Sequence, residues 1–194
     1  MRDWKENRRE MFQNNILAQN QMPDDGKCNT CGESGGLWRC RDCHGDRVLC
    51  RTCCQDSHSS NPFHRIEYWN GRHFEGDWLI NLGLVLNLSH AGDACPGLTV
   101  GLGASSMQEL TGDVKYIYKS PSGTRDVPSR STLMTVGHTN RMHKVWVRYC
   151  GCVEKAPLLD MQLMSSKLYP MSSKSPQTAF TFELLDNFMM ANLE

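Results

Sequence analysis

The ten cysteines are spaced for metal chemistry. Seven fall between Cys28 and Cys54, and the other three are Cys95, Cys150 and Cys152. The first cluster is ordered: Cys28-x2-Cys31, eight residues, Cys40-x2-Cys43, six residues, Cys50-x2-Cys53, then His58 after four residues and His64 after five more. A Cys-x2-Cys pair offers two sulfurs from one tight turn, and zinc takes four Cys or His ligands in a tetrahedron. Four such pairs satisfy two ions. A redox Cys-x-x-Cys site accounts for one pair, not three. A disulfide framework needs a secretory route, and Met1-Arg2-Asp3-Trp4-Lys5-Glu6 lacks the apolar segment of a signal peptide, so an intracellular chain is expected.

Ligand order suggests the wiring. In a cross-brace arrangement, pairs one and three share an ion, as do pairs two and four. Zinc one then takes Cys28, Cys31, Cys50 and Cys53, and zinc two takes Cys40, Cys43, His58 and His64. Cys54 is the spare; it adjoins Cys53 and can replace it, although the x2 spacing favours Cys53. Such thiolate-rich, closed sites are structural, because a catalytic zinc keeps a coordination position open.

A third site follows from two strand-like stretches. Val145, Val147 and Tyr149 alternate with Trp146 and Arg148, and Leu82, Leu84, Leu86 and Leu88 alternate likewise. Each stretch runs into potential ligands: His90 and Cys95 after one, Cys150 and Cys152 after the other. Side chains at i and i+2 share a face, so both sulfurs of the C-x-C can reach one ion. If the strands pair, His90, Cys95, Cys150 and Cys152 complete a tetrahedron, with His138 and His143 as rivals for the histidine place and buried free thiols as the plain alternative.

Other elements frame these sites. Trp4, Met11, Phe12, Ile16 and Leu17 recur near the helical period over residues 1–20, and Pro23-Asp24-Asp25-Gly26 ends that helix. A short helix is expected after Cys50, and strands over 77–90 and 131–150. Gly, Ser and Pro punctuate residues 99–130 as a long loop. Ser175-Pro176 reads as an N-cap and first helical residue, with a helix over 177–192 whose apolar face includes Phe180, Leu184 and Phe188. The expected fold is a small, zinc-stabilised α+β chain with helices at both ends. Its parts are an N-terminal helix and linker (1–27), a cross-brace zinc module (28–73), an irregular β-rich C-x-C region (74–152) and a C-terminal segment (153–194).

Leu37-Trp38-Arg39-Cys40-Arg41-Asp42-Cys43, Val48-Leu49-Cys50-Arg51-Thr52-Cys53, His58 and His64-Arg65-Ile66 resemble ZZ-type and B-box-type fingers, which bind protein partners. A longer series adds Asn61-Pro62-Phe63, Glu67-Tyr68-Trp69-Asn70-Gly71, Ser89-His90-Ala91-Gly92, Cys95-Pro96, Val145-Trp146-Val147-Arg148-Tyr149-Cys150-Gly151-Cys152, Leu168-Tyr169-Pro170 and Thr178-Ala179-Phe180-Thr181-Phe182. In this order the motifs resemble the CxC-type cysteine cluster domain at the N-terminus of fungal Kyakuja-Dileera-Zisupton (KDZ) transposases, over roughly residues 28–98 and 131–190. Residues 99–130 depart from that pattern, as an insertion or mis-spliced segment would. The resemblance implies a transposase-associated module, nuclear, whose RNase H-like catalytic domain belongs further downstream.

Charge narrows the partners. The total is zero, 21 Lys plus Arg against 21 Asp plus Glu, so a globally basic nucleic-acid binder is not indicated. Residues 28–73 hold six Arg and five acids, and a four-thiolate zinc adds negative charge, which weakens phosphate binding there. Residues 115–155 carry an excess of six positive charges with Tyr116, Tyr118, Trp146 and Tyr149 interleaved; Lys115, Lys119, Arg141, Lys144 and Arg148 are the candidate nucleic-acid contacts, against the bland reading of a solvated loop. The favoured function is a non-catalytic accessory module that assists DNA or chromatin targeting. The alternative is a peptide or histone-tail reader in which Asp42 and Asp46 grip a basic group. No enzyme is expected: Glu154, Asp160, Glu183 and Asp186 are scattered and His-Glu-x-x-His is missing. Nor is a membrane span expected, since no apolar run approaches ~18 residues, and no small-molecule substrate is expected either.

Overall fold

The computed structural model describes residues 4–22, 25–96, 131–152 and 156–193. The expected loop over 99–130 lies outside them. Within them the chain is α+β, with four α-helices and two sheets.

The first sheet is antiparallel throughout, in the order β2-β1-β3-β4: β1 is Trp38–Cys40, β2 Val48–Leu49, β3 Ile66–Trp69 and β4 Phe74–Asp77. Strand alternation sorts β1 cleanly. Trp38 and Cys40 face the core, while Arg39 points to the other side. There its Nε donates to Glu67 Oε2 at 2.7 Å, Arg41 Nε holds the other oxygen at 2.7 Å, and the Arg39 guanidinium lies 4.0 Å over the Phe74 ring. Glu67 is 5% exposed, and two cations on one buried carboxylate offset its desolvation.

The second sheet is mixed, in the order β5-β7-β6-β9-β8: β5 is Val85–Asn87, β6 Thr132–Gly137, β7 Met142–Arg148, β8 Leu168–Pro170 and β9 Thr178–Thr181. β6 and β7 form the central antiparallel hairpin, and β5 runs parallel to β7. The expected alternation of Val145, Val147 and Tyr149 faces a core of Leu88, Met134, Val136, Leu163, Leu168 and Ala179. Helix α3 (Leu159–Ser165) covers this core through Leu163. Gly137 is required by close approach: a Cβ there would lie 2.5 Å from the Phe180 ring.

Two expected elements take other shapes. The row Leu82, Leu84, Leu86, Leu88 is not one strand. Leu79–Leu82 form a 3-10 turn that ends at Gly83, whose φ of +86° suits a residue without Cβ. The Asp77 carboxylate fixes that turn, accepting from Trp78 N at 2.8 Å, Asn81 Nδ2 at 2.6 Å and Trp38 Nε1 at 3.4 Å. Leu82 and Leu84 therefore pack into the first core, beside Cys28, Trp38, Leu49 and Ile66, and Leu88 into the second. The first sheet accordingly runs through Asp77.

The C-terminal helix starts later than Ser175-Pro176 suggests. Thr178–Thr181 form β9, with Ala179 and Thr181 buried between β6 and β8, and helix α4 is Phe182–Ala191. The Thr181 hydroxyl is its N-cap, accepting from Leu184 N at 3.3 Å. Two threonines and a phenylalanine favour the pleated surface, and a sheet slot was open for them. At the other end, helix α1 (Arg9–Gln19) buries no residue; Met11, Phe12, Ile16 and Leu17 are all exposed. Arg39 ties its end down through Gln19 O and Asn20 Oδ1.

The second core sets a stability contrast. Met134 is fully buried on β6, whereas Met142 on β7 is 48% exposed. Met134→Ala should cost ~2–5 kcal/mol in chemical denaturation and Met142→Ala less than ~0.5 kcal/mol.

Candidate metal centres

Among the described residues three groups of four donors assemble, and they are the twelve residues singled out by spacing: Cys28, Cys31, Cys50 and Cys53; Cys40, Cys43, His58 and His64; His90, Cys95, Cys150 and Cys152. Within each group the ligand atoms all lie within 4.8 Å of one another. All ten cysteines are free.

The distances test the fit to a tetrahedral ion. With Zn–S bonds of ~2.3 Å and Zn–N bonds of ~2.05 Å, tetrahedral angles place two sulfurs about 3.8 Å apart and a sulfur and a nitrogen about 3.6 Å apart. In the first group Cys31 Sγ and Cys50 Sγ are 3.8 Å apart. In the second, His64 Nδ1 is 3.5 Å from Cys40 Sγ and 3.4 Å from Cys43 Sγ, and His58 Nε2 is 3.6 Å from Cys43 Sγ. In the third, Cys95 Sγ is 3.7 and 3.6 Å from the Cys150 and Cys152 sulfurs, and His90 Nε2 is 3.5 and 3.7 Å from the same two. A disulfide would bring sulfurs to ~2.05 Å. The donor sets fit zinc.

Local structure explains how each donor is held. Cys28 and Cys31 flank a turn closed by Gly32 N to Cys28 O at 2.9 Å, and Thr30 N donates to Cys28 Sγ at 3.4 Å. Asn29 Oδ1 pins the turn to β2 by accepting from Val48 N at 2.6 Å. Cys50 is the N-cap of helix α2 (Arg51–Ser57), its Sγ accepting from Cys53 N at 3.5 Å. That helix serves the first two groups, because His58 is its C-cap. His58 Nδ1 lies 2.7 Å from the Cys54 carbonyl, so Nδ1 carries the proton and Nε2 keeps its lone pair for a metal. Burial holds this imidazole below its ordinary pKa, the neutral state that ligation needs.

The third group depends on sheet topology. Since β5 and β7 are parallel, with Leu86 opposite Val147 and Asn87 opposite Arg148, both chains leave the sheet at the same end. His90 and Cys95 therefore meet Cys150 and Cys152. His90 and Ala91 adopt φ of 53° and 56°, left-handed values rare outside glycine, which bend the chain so that the ring faces the sulfurs. Gln162, buried on α3, accepts from Cys150 N at 2.6 Å and donates to Pro157 O at 2.8 Å. Neither Gln162 nor Asn29 was singled out from sequence, because a neutral amide used against backbone leaves no spacing signal.

Sulfur ionisation shows what the groups lack without a cation. Burial raises the Cys28 and Cys95 thiols, but backbone N–H groups outweigh it and bring both down to about 6: those of Cys31, Cys50 and Thr30 for Cys28, and that of Gly151 for Cys95, which is also helped by Cys152 and His90. In each of these two groups one neighbour goes the other way: Cys50 pushes the Cys53 thiol up, and Cys150 and Cys95 push Cys152 up to about 11. One anion in a cluster keeps the next sulfur protonated. A bound dication would remove that conflict and release protons. Burial pushes Cys54 up to about 12; it belongs to no donor group.

The rivals for the third histidine lie elsewhere. His138 Nδ1 is 3.0 Å from Thr181 Oγ1, and His143 Nε2 is 2.7 Å from Asn140 Oδ1. Of the candidate nucleic-acid contacts, Lys115 and Lys119 lie outside the described residues. Arg141 stacks 4.0 Å over Trp78 and donates to Asp77 O at 3.4 Å, Lys144 Nζ donates to Thr135 Oγ1, and Arg148 is half-buried. Arg141 and Lys144 thus serve the protein's own packing. Asp42, the candidate grip for a basic peptide, is paired with Arg65 at 2.6 Å; Asp46 stays exposed. Among the described residues no helix is long and apolar enough to cross a membrane.

Comparison with known proteins adds one family. Residues 119–194 match the CxC2-like cysteine cluster associated with KDZ transposases. The resemblance read from the sequence holds over this segment, which contains β6, β7, the Cys150-Gly151-Cys152 motif, α3, β8, β9 and α4. The match also begins inside the stretch set aside as an insertion. It leaves out the first two donor groups and half of the third. No curated protein and no solved structure is detectably similar to the chain.

The grouping predicts a contrast between adjacent thiols. Cys53→Ser should lower metal stoichiometry in native mass spectrometry by one ion per chain, and Cys54→Ser should leave it unchanged.

Proposed function

We propose that this chain is a non-catalytic, zinc-binding accessory module that assists DNA or chromatin targeting by KDZ-type transposition machinery, in the nucleus. The observation that carries the reading is the closure of the donor sets: each has four protein donors at tetrahedral spacing, so a zinc there has no coordination position left for substrate or water. Zinc in these sites supplies cross-links between chain segments. Three ions, two of them interleaved as a cross-brace, fit the donors. The family matched by residues 119–194 supports the link to transposition.

DNA is the favoured partner on charge. The basic excess of residues 115–155 lies largely within or beside the matched segment, whereas the zinc module is near neutral before metallation. With Arg141 and Lys144 engaged internally, phosphate contact falls first on Lys115 and Lys119. The peptide-reading alternative is weakened by the pairing of Asp42 with Arg65.

Native mass spectrometry should give three zincs per chain, and a chelator should abolish the cooperative unfolding transition. Folded protein without metal would overturn the reading. The zinc-loaded chain should bind duplex DNA with an affinity that falls steeply between ~50 and ~200 mM salt. Binding that ignores salt, or a preference for a basic peptide over DNA, would move the targeting role to a protein partner.

A further inference from the structure

The turn joining β6 to β7 leaves the second sheet and lies against the second donor group. Asn140 sits in that turn. Its Nδ2 donates to Phe63 O at 2.9 Å and to Asp42 Oδ2 at 3.4 Å, and its Oδ1 is 2.7 Å from His143 Nε2. His143 is buried, with its ring edge-on to Phe63 at 5.6 Å and to Trp78 at 6.2 Å, so it can donate that bond without competition from solvent.

Both acceptors of Asn140 belong to segments that carry donors. Phe63 immediately precedes His64. Asp42 lies between Cys40 and Cys43, and its own N–H donates to Cys40 Sγ at 3.4 Å. The Asp42 carboxylate also accepts from Arg65 N at 2.6 Å and Arg65 Nη2 at 2.6 Å, which joins the Cys40–Cys43 loop to the residue after His64. His143, Asn140, Asp42 and Arg65 thus form one polar chain from β7 to three of the four donors.

We propose that Asn140, oriented by His143, is a positioning residue for the second metal centre, so that metal affinity in the first sheet depends on the hairpin of the second. The proposal rests on the metal-binding reading of Cys40, Cys43, His58 and His64. The coupling is reciprocal: metal at this centre favours the seated hairpin by the same factor by which the hairpin favours metal.

The test is cadmium loading of the full chain, followed by cadmium NMR, in which the two-sulfur, two-nitrogen site has its own resonance, and by competition with EDTA. Asn140→Ala should shift that resonance and weaken its metal ~10–100-fold, the range for loss of an outer hydrogen bond to a ligand shell, while the other two resonances hold. His143→Gln keeps a donor at the Nε2 position and should behave as wild type. His143→Leu fills most of the volume without a donor and should behave as Asn140→Ala. An unchanged site in Asn140→Ala, equal weakening of all three sites, or identical behaviour of His143→Gln and His143→Leu would overturn the proposal. Failure of the wild type to load this site would instead sink the metal-binding reading itself.

Discussion

Sulfur atoms 3.6–3.8 Å apart cannot all be anionic without a cation among them. Two thiolates at that distance repel by about 4–5 kcal/mol at an effective dielectric of ~20. The fold nevertheless brings four donors together three times, and short strands and turns do the gathering. The first sheet has strands of two to four residues. Such a sheet holds little apolar area, and several of its core positions are cysteines: Cys28, Cys40 and Cys54 sit with Trp38, Leu49 and Ile66. The remaining structure follows from that requirement. Helix α2 is placed by a ligand at each end, and β5 and β7 are aligned so that their exits deliver ligands to one point.

The two cores are separate clusters. Leu84 closes one and Leu88 opens the other, four residues apart on the same segment. Across this join run Asn140 to Phe63 and Arg141 to Asp77 and Trp78. These contacts are polar or stacked, and the Phe63 ring adds an apolar one by packing against the second core.

Metal chemistry was the most legible feature in the chain. The donors could be grouped from spacing because a tight turn places Cys-x2-Cys sulfurs together whatever the tertiary fold. The interleaved order came from the ligand order of a cross-brace arrangement, and His90 was preferred to His138 and His143 by position after a strand. What escaped was set by context. The alternating leucines from Leu82 to Leu88 imitate a strand, but Gly83 and the Asp77 carboxylate impose a turn that alternation does not reveal. Thr178–Thr181 lie within a stretch whose spacing also suits a helix, and the sheet neighbours decided the outcome. The aid that Asn29, Gln162 and Asn140 give is invisible in sequence, since a side-chain amide bonded to a carbonyl has no periodic signature. Arg141 and Lys144, prominent as charges, turned out to be packing groups, and only coordinates separate those roles.

The parallel pairing of β5 with β7 has a consequence for loop closure. A metal in the third group would join Cys95 to Cys150, which are 55 residues apart, and β5 and β7 before them pair directly with each other. The entropy of closing such a loop grows only as the logarithm of its length, about 0.6 kcal/mol per doubling. Parallel pairing of β5 with β7 meets part of that cost before any metal binds, because it already brings the two exits to one end of the sheet, and the Cys150 and Cys152 sulfurs follow just past the end of β7.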